Sequence, residues 1–335
     1  MEDVFGTVQP RKRFGQHFLC DPLVSEKLLD RIAPKAADHL VEIGPGTGAL
    51  TRCLVRARPA SLTLIEIDRN LAAGLRKVYL APGQGGNPSP KGSSSLRGNP
   101  SPGANAGPGG KPGMLRDSET ASPGAAAGGP TMSLIEGDAL DVDYTALAAT
   151  RGARLRVVGN LPYNIASPLL LCLAGHQAAL HDQIFMLQKE VVDRIVAPPR
   201  SAAFGRLTVM LQSCYSADWL FDVEPESFDP PPRVRSAVVR LRGRHPDVGR
   251  PPQSAAFRES LEALVRAGFA QRRKMLRGTL LPWLAAQGFN PSDAVSLGFM
   301  PEARPQDIRV DQWCALAARL EFSPPQALRS INSTL

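Results

Sequence analysis

Leu40-Val41-Glu42-Ile43-Gly44-Pro45-Gly46-Thr47-Gly48, followed by Leu62-Thr63-Leu64-Ile65-Glu66, is the stretch that decides the fold. Each apolar run has the length of a strand and reads as one buried on both faces. Gly44 to Gly48 make a turn that opens a helix to about Arg56, and a second helix runs from about Arg69 to Tyr79. Strand, helix, strand, helix is the rhythm of a parallel, doubly wound α/β sheet. In such a sheet ligands bind beyond the carboxyl ends of the strands. The glycines let the backbone come close to a ligand. Their spacing is G-x-G-x-G, not the G-x-G-x-x-G of dinucleotide proteins, and alone it fits tight strand–helix packing as well. Glu66 ends the second strand about 20 residues on, where a carboxylate accepts from both ribose hydroxyls of a nucleoside.

Working outward, Asp21 is an N-cap and Pro22 the first residue of a helix reaching Ile32. Ser133 to Glu136 is a third strand and Leu155 to Gly159 a fourth. Pro168–Leu173, Lys189–Val196 and Leu207–Cys214 read as helices; 182–187, 219–223 and 235–241 read as strands. Between the second helix and the third strand lies an insertion, Gly83 to Pro130. Of its 48 residues 21 are Gly or Pro, too few apolar groups to offset ordering entropy, so it reads as disordered. Gly-Asn-Pro-Ser-Pro occurs in it twice, at Gly86–Pro90 and Gly98–Pro102. A Gly/Pro/Arg-rich linker, 242–252, separates a first domain, 1–245, from a second, 253–335. The second is purely helical, and Trp313, Leu316, Ala317 and Leu320 fall on one buried stripe.

The net charge of +8 favours a polyanionic partner. Five scattered cysteines, Cys20, Cys53, Cys172, Cys214 and Cys314, form no Cys-x-x-Cys pair and read as buried thiols of a reducing compartment. The five histidines lack ligand spacing, so no metal site is expected. No apolar run is long enough to span a membrane and no signal-peptide core precedes the chain. The expectation is a cytoplasmic protein with no membrane partner.

The chemistry concentrates at Asn160-Leu161-Pro162-Tyr163, where the fourth strand stops. An amide oxygen, an outward carbonyl and an aromatic ring at a sheet edge suit a flat base bearing an exocyclic amine. By itself the tetrapeptide is equally a strand-to-turn junction. Asp138 ends the third strand and either accepts from an adenine amine or caps a helix. A ribose acceptor, an adenine acceptor and no phosphate-seeking cation in the loop point to a nucleoside cofactor, and S-adenosyl-L-methionine fits. If Asn160 Oδ1 and the Leu161 carbonyl accept both N–H bonds of an adenine N6, the nitrogen is drawn towards tetrahedral geometry without a strong base. Tyr163 stacks on the extruded base, and Pro162 holds Leu161 extended. Phe228, before Asp229-Pro230-Pro231-Pro232-Arg233, is either the other wall of a base sandwich or a core residue. Cations gather at Arg11-Lys12-Arg13 and at Arg266, Arg272, Arg273, Lys274 and Arg277, with Gln271–Lys274 the better RNA-contact candidate and a solvated helix end the alternative.

These motifs, in this order, resemble the bacterial small-subunit ribosomal RNA adenine N6,N6-dimethyltransferases, the KsgA family. The carriers are Arg11–Leu19, Val41–Gly46, Asn160–Asn164, Phe228 with its prolines, and Gly268–Lys274. The resemblance spans nearly the whole chain apart from the insertion and the extreme ends. It implies a Rossmann-like S-adenosylmethionine-dependent methyltransferase sheet with a small C-terminal all-α domain, the latter starting its RNA-binding helix near Gly268–Lys274. It implies that His17, Leu19, Gly44, Glu66, Asp138 and Asn160 line the S-adenosyl-L-methionine site. It also implies the substrate: two adjacent adenosines in the 3′-terminal hairpin loop of 16S rRNA, within an immature 30S subunit, modified by a monomeric enzyme. The related Erm family, acting on 23S rRNA, is the nearest rival, and the helical tail favours the small-subunit enzymes. A ribosome-assembly factor that binds RNA without methylating it, and a DNA adenine methyltransferase, are the rivals of other classes.

Overall fold

The computed structural model describes residues 16–80, 119–120, 129–244 and 254–322. Arg11, Lys12, Arg13 and nearly all of the 83–130 insertion lie outside the described residues. The chain begins with β1 (Phe18–Leu19) and α1 (Pro22–Ile32). The Asp21 side chain accepts the Leu23 and Val24 amides, and Pro22 sits in the first turn, as the sequence predicts. Then come β2 (His39–Ile43), α2 (Ala49–Arg56), β3 (Ser61–Glu66) and α3 (Arg69–Tyr79). β4 (Glu119–Thr120) precedes β5 (Thr131–Glu136), α4 (Tyr144–Arg151), β6 (Leu155–Asn160), α5 (Ala166–Gly175), β7 (Leu180–Gln188), α6 (Lys189–Ile195) and α7 (Arg206–Gln212). β8 (Tyr215–Val223), β9 (Phe228–Asp229) and β10 (Ser236–Gly243) complete the sheets. α8 (Ala255–Phe269), α9 (Leu280–Ala286), α10 (Pro291–Ser296) and α11 (Val310–Phe322) make the helical part.

The main sheet has the order β4-β5-β3-β2-β6-β7-β10-β8. From β2 the chain steps outward through β3 to β5, then returns to β6 on the other side of β2. The reversal lies between β2 and β6, and the crevice above their carboxyl ends is where such a fold binds ligands. Both faces are covered. Val41, Ile43, Val157 and Leu187 pack with Leu169 and Leu173 of α5 on one side. Leu40, Leu62, Leu64 and Met186 pack with Leu28, Leu54 and Leu75 of α1 to α3 on the other. This is the Rossmann-like arrangement expected.

Two expectations need correction. The sheet is not all parallel: β10 runs antiparallel to both β7 and β8. Parallel strands need a crossover, and 224–235, between β8 and β10, carries only a short 3-10 turn and the two-residue β9, so the chain returns antiparallel. Within the stretch read as disordered, Glu119 and Thr120 form β4, antiparallel to Leu134 and Ser133 of β5. The backbone of the β5 edge offers them a ladder that their composition does not reveal.

At the opposite rim of the sheet Arg156 is buried in a network of its own. Its guanidinium binds both oxygens of Asp182 (2.8 and 2.9 Å), Asp38 Oδ2 (2.7 Å) and the Ile32 carbonyl at the end of α1 (2.7 Å). The last core belongs to the helical part, and the stripe of Trp313, Leu316, Ala317 and Leu320 lies fully inside it. That core also takes in Ala197, Phe204 and Val209, from before the linker. The thiols divide: Cys53 and Cys214 are buried, Cys172 and Cys314 intermediate, but Cys20 is exposed, a correction that follows from its place at the end of a two-residue strand.

Candidate active site

A single cavity opens above the reversal point. His17, Leu19, Gly44, Glu66, Asp138 and Asn160 all line it, with Leu161, Pro162 and Tyr163 beside them. Residues 143 positions apart are brought together because β2, β3, β5 and β6 all end at one rim. Gly159 makes that rim possible: a Cβ there would lie 2.3 Å from the Ile43 carbonyl oxygen, so only glycine lets β6 and β2 end side by side.

Asn160 Nδ2 donates to the His17 carbonyl at 3.0 Å. A carbonyl only accepts, so this bond fixes which end of the amide is nitrogen. Oδ1 is left with no partner among the described residues. The Leu161 amide donates to the Met186 carbonyl at 3.1 Å, and its own carbonyl accepts no hydrogen bond among the described residues. The segment therefore offers two adjacent unpaired acceptors. The Tyr163 hydroxyl is hydrogen-bonded to Ser236 Oγ at 2.9 Å, and burial pushes its pKa up, so it stays a neutral hydroxyl. One face of its ring meets His17, with centroids 5.4 Å apart and planes tilted by 30°. His17 Nδ1 donates in turn to the Pro230 carbonyl at 2.7 Å.

The acids on the floor differ. Glu66 Oε1 accepts the Asp68 amide at 2.9 Å and Oε2 the Gly46 amide at 3.2 Å. Burial raises its pKa, and those two amides oppose the rise. Glu42 lies deeper: burial pushes its pKa up to about 8 against the single bond from Thr51 Oγ1 (2.7 Å). Asp138 Oδ1 caps a short 3-10 turn through the Leu140 amide at 2.9 Å, one of its two readings, and the residue also reaches the cavity where the other would place it.

Phe228 is placed differently from the base-sandwich expectation. It is 3% exposed, pairs with Leu19 across the β1–β9 ribbon, and packs in the core with Leu28. It does not line the cavity; the ring beside Tyr163 is that of His17. The basic cluster also sorts itself. Gln271 to Lys274 form a turn after α8 rather than the start of a helix, because α8 ends at Phe269. Arg273, Lys274 and Arg277 are exposed. Arg272 is half-buried, bound to Gln306 Oε1 at 3.1 Å and to the carbonyls of Ser201 and Ala202, which leaves little of it for a phosphate. Arg266 is paired with Glu262 at 2.7 Å.

Sequence reasoning missed Glu42 and Ile67. A carboxylate inside the apolar run Val41-Glu42-Ile43 was the available signal for the first. For the second it was an apolar side chain just past the strand end, 44% exposed at the cavity wall. No described helix is long and apolar enough to cross a membrane.

The sequence matches the family described as ribosomal RNA adenine dimethylase over residues 7–84 and 120–321. The unmatched gap falls inside the Gly/Pro-rich insertion. The chain is 45% identical over 312 residues to Ribosomal RNA small subunit methyltransferase A of Bordetella petrii, covering 93% of this chain and 95% of the relative. A protein of the same name from Leptothrix cholodnii is 39% identical over 325 residues, 97% of each chain. Among solved structures, a dimethyladenosine transferase from Plasmodium falciparum superposes with a TM-score of 0.63 at 21% identity, covering 92% of this chain and 98% of that one. The 23S rRNA methyltransferase ErmE does so with a TM-score of 0.56 at 22% identity, covering 91% and 99%. The last two show the fold alone. With the family matched on both sides of the insertion and identity sustained over nearly the whole length, the chain belongs to the ribosomal RNA adenine dimethylases.

Proposed function

We propose that this chain dimethylates N6 of two adjacent adenosines in the 3′-terminal hairpin loop of 16S rRNA, acting as a monomer on an immature 30S subunit in the cytoplasm. The observation that carries the reading is the pair of unpaired acceptors, Asn160 Oδ1 and the Leu161 carbonyl, on the wall of a nucleoside-sized crevice. A substrate N6 that donates one N–H to each loses planarity, and its lone pair is freed from the ring. Asn160 and Leu161 act by fixed dipoles, already oriented by the His17 carbonyl and the Met186 carbonyl, so no reorganisation accompanies the reaction. Tyr163 gives the base a ring to lie on, steadied by Ser236. The extra proton on the methylated nitrogen is acidic and leaves to water, so no side chain needs to be a strong base.

The residues present fit S-adenosyl-L-methionine. A carboxylate has about four lone-pair directions; Glu66 uses two on backbone amides and keeps two for ribose hydroxyls. Asp138 keeps Oδ2 for an adenine amine, Ile67 supplies an apolar face, and Gly44, His17 and Leu19 close the wall. When bound, this cofactor supplies an electrophilic methyl on a cationic sulfur.

The test is transfer of labelled methyl to immature small subunits, with the modified nucleotides mapped by mass spectrometry. The wild type is expected to yield dimethyladenosine at the hairpin. Asn160→Ala should lower transfer by about 100-fold or more, the scale of one preorganised donor or acceptor, while cofactor affinity stays near wild type. Strong residual transfer by Asn160→Ala contradicts its role. Methyl marks on 23S rRNA would move the chain to the Erm reaction.

A further inference from the structure

The unpaired cations at the junction of the two domains lead to a site that the sequence motifs do not delimit. Several other exposed arginines are matched by carboxylates: Arg56 with Glu26, Arg235 with Glu224, Arg242 with Asp218, Arg309 with Asp311. Arg200, Arg273, Lys274 and Arg277 are exposed, and their side chains make no hydrogen bond or ion pair among the described residues. They come from segments about 70 residues apart that the fold presses together. The Arg200 amide donates to the Gln306 carbonyl at 2.8 Å. Arg272 Nε donates to the same residue's Oε1 at 3.1 Å, and its guanidinium also holds the carbonyls of Ser201 and Ala202. The Leu276 and Arg277 amides donate to the carbonyls of Ala303 (2.8 Å) and Pro301 (3.0 Å). Met300 and Ala303 share a cavity wall with Arg200.

Arg200 itself has φ 71°, a left-handed conformation that glycine adopts freely and a long side chain does not. The residue is exposed, so core packing does not call for a side chain there. Arg58 is also exposed with a positive φ of 54°, so what sets Arg200 apart is its seat on Gln306 beside Arg272.

Resting on the reading that the substrate is ribosomal RNA, we propose that Arg200 joins Arg273, Lys274 and Arg277 in one phosphate-binding ridge across the junction. In the same proposal Arg272 and Gln306 are the clasp that seats the ridge, and Arg272 touches no RNA. Each phosphate contacted releases counterions, so the number of contacts is read from the steepness of binding against salt. A clasp acts otherwise. Loosening it lowers the fraction of competent protein and weakens binding equally at every salt.

The experiment is co-sedimentation binding to immature small subunits, whose 16S rRNA carries the two adjacent adenosines, over a salt series. Arg200→Ala is expected to reduce the slope of log K against log salt by about 0.7 to 0.9. Arg200→Gly should lose the same slope while melting at or above the wild-type temperature, because glycine relieves the backbone. Arg272→Ala should weaken binding throughout with the slope unchanged. An unchanged slope in both Arg200 variants removes the ridge, and a slope loss of about one in Arg272→Ala removes the clasp. Methyl transfer to the same subunits is followed in parallel. Wild type that methylates them while the Arg200 variants keep its slope overturns the ridge alone; wild type that neither binds nor methylates them overturns the RNA reading with it.

Discussion

Glu42 is a carboxyl group held where water cannot solvate its charge. Burial pushes its pKa from 4.5 up to about 8. The folded state therefore binds the proton more tightly than the unfolded chain. This group's contribution is favourable below about pH 4.5, shrinks as the pH rises towards 8, and is level above that. Glu42→Gln keeps an acceptor for Thr51 and removes the titration. In urea unfolding of the cofactor-free protein, the variant's stability relative to wild type should grow between pH 5 and pH 8, by a few kcal/mol at the order-of-magnitude level. A difference that stays flat or falls across that window would show that Glu42 is ionised in the fold. At this scale the sequence was legible where residue type and strand end coincide: Asn160, Glu66 and Asp138 reach the cavity as expected. It was not legible for Phe228, because burial there depends on β1, which is 209 positions upstream and only two residues long.

Among the elements, α8 and α11 make the tightest crossing of the helical part. A Cβ on Gly268 would lie 2.5 Å from the Trp313 ring. That ring has nowhere to go: it stacks on Phe269 (5.6 Å, 29°) and meets Phe299 edge-on (5.1 Å, 90°). Alanine ordinarily gains up to about 1 kcal/mol over glycine in a helix. Here overpacking costs about 1 to 3 kcal/mol and wins, so Gly268→Ala should lower the melting temperature; a rise would mean that the helices separate easily. Elements with end signals were readable, as with Asp21-Pro22 opening α1, and so was the α11 stripe. α4 was not. It buries only Tyr144 and Ala148, so no apolar face repeats along it, although Asp143 caps it through the Thr145 and Ala146 amides. β8 begins four residues before the stretch read as strand, since Ser216 and Asp218 interrupt the apolar signal on a half-exposed edge.

For the whole molecule, packing does not divide where the sequence reads a linker. Phe204 reaches across to Phe269 (6.3 Å), and Ala197 and Val209 join the same core. Composition suggests a linker; it does not show that side chains from before it join the core made by those after it. The insertion is the converse case, conspicuous in sequence and unmatched by the family from 85 to 119. Removing residues 85–118 should leave methyl transfer close to wild type and the melting temperature within about 3 °C, the shift that ~1 kcal/mol produces. A large loss of either would show that the segment supports the β5 edge or the crevice.

The reversed course of β10 has a consequence for how the enzyme becomes active. Its neighbours only send chain out at the working rim, whereas β10 brings chain in, so Ser236 arrives there at its first residue and meets Tyr163. Ring and hydroxyl are thus supplied by strands of opposite travel. A two-residue slip of β10 along β7 would carry that hydroxyl about 7 Å away. Incorrect assembly of the sheet would leave the Tyr163 ring unanchored, and under the role proposed for that ring catalytic competence becomes a readout of completed folding.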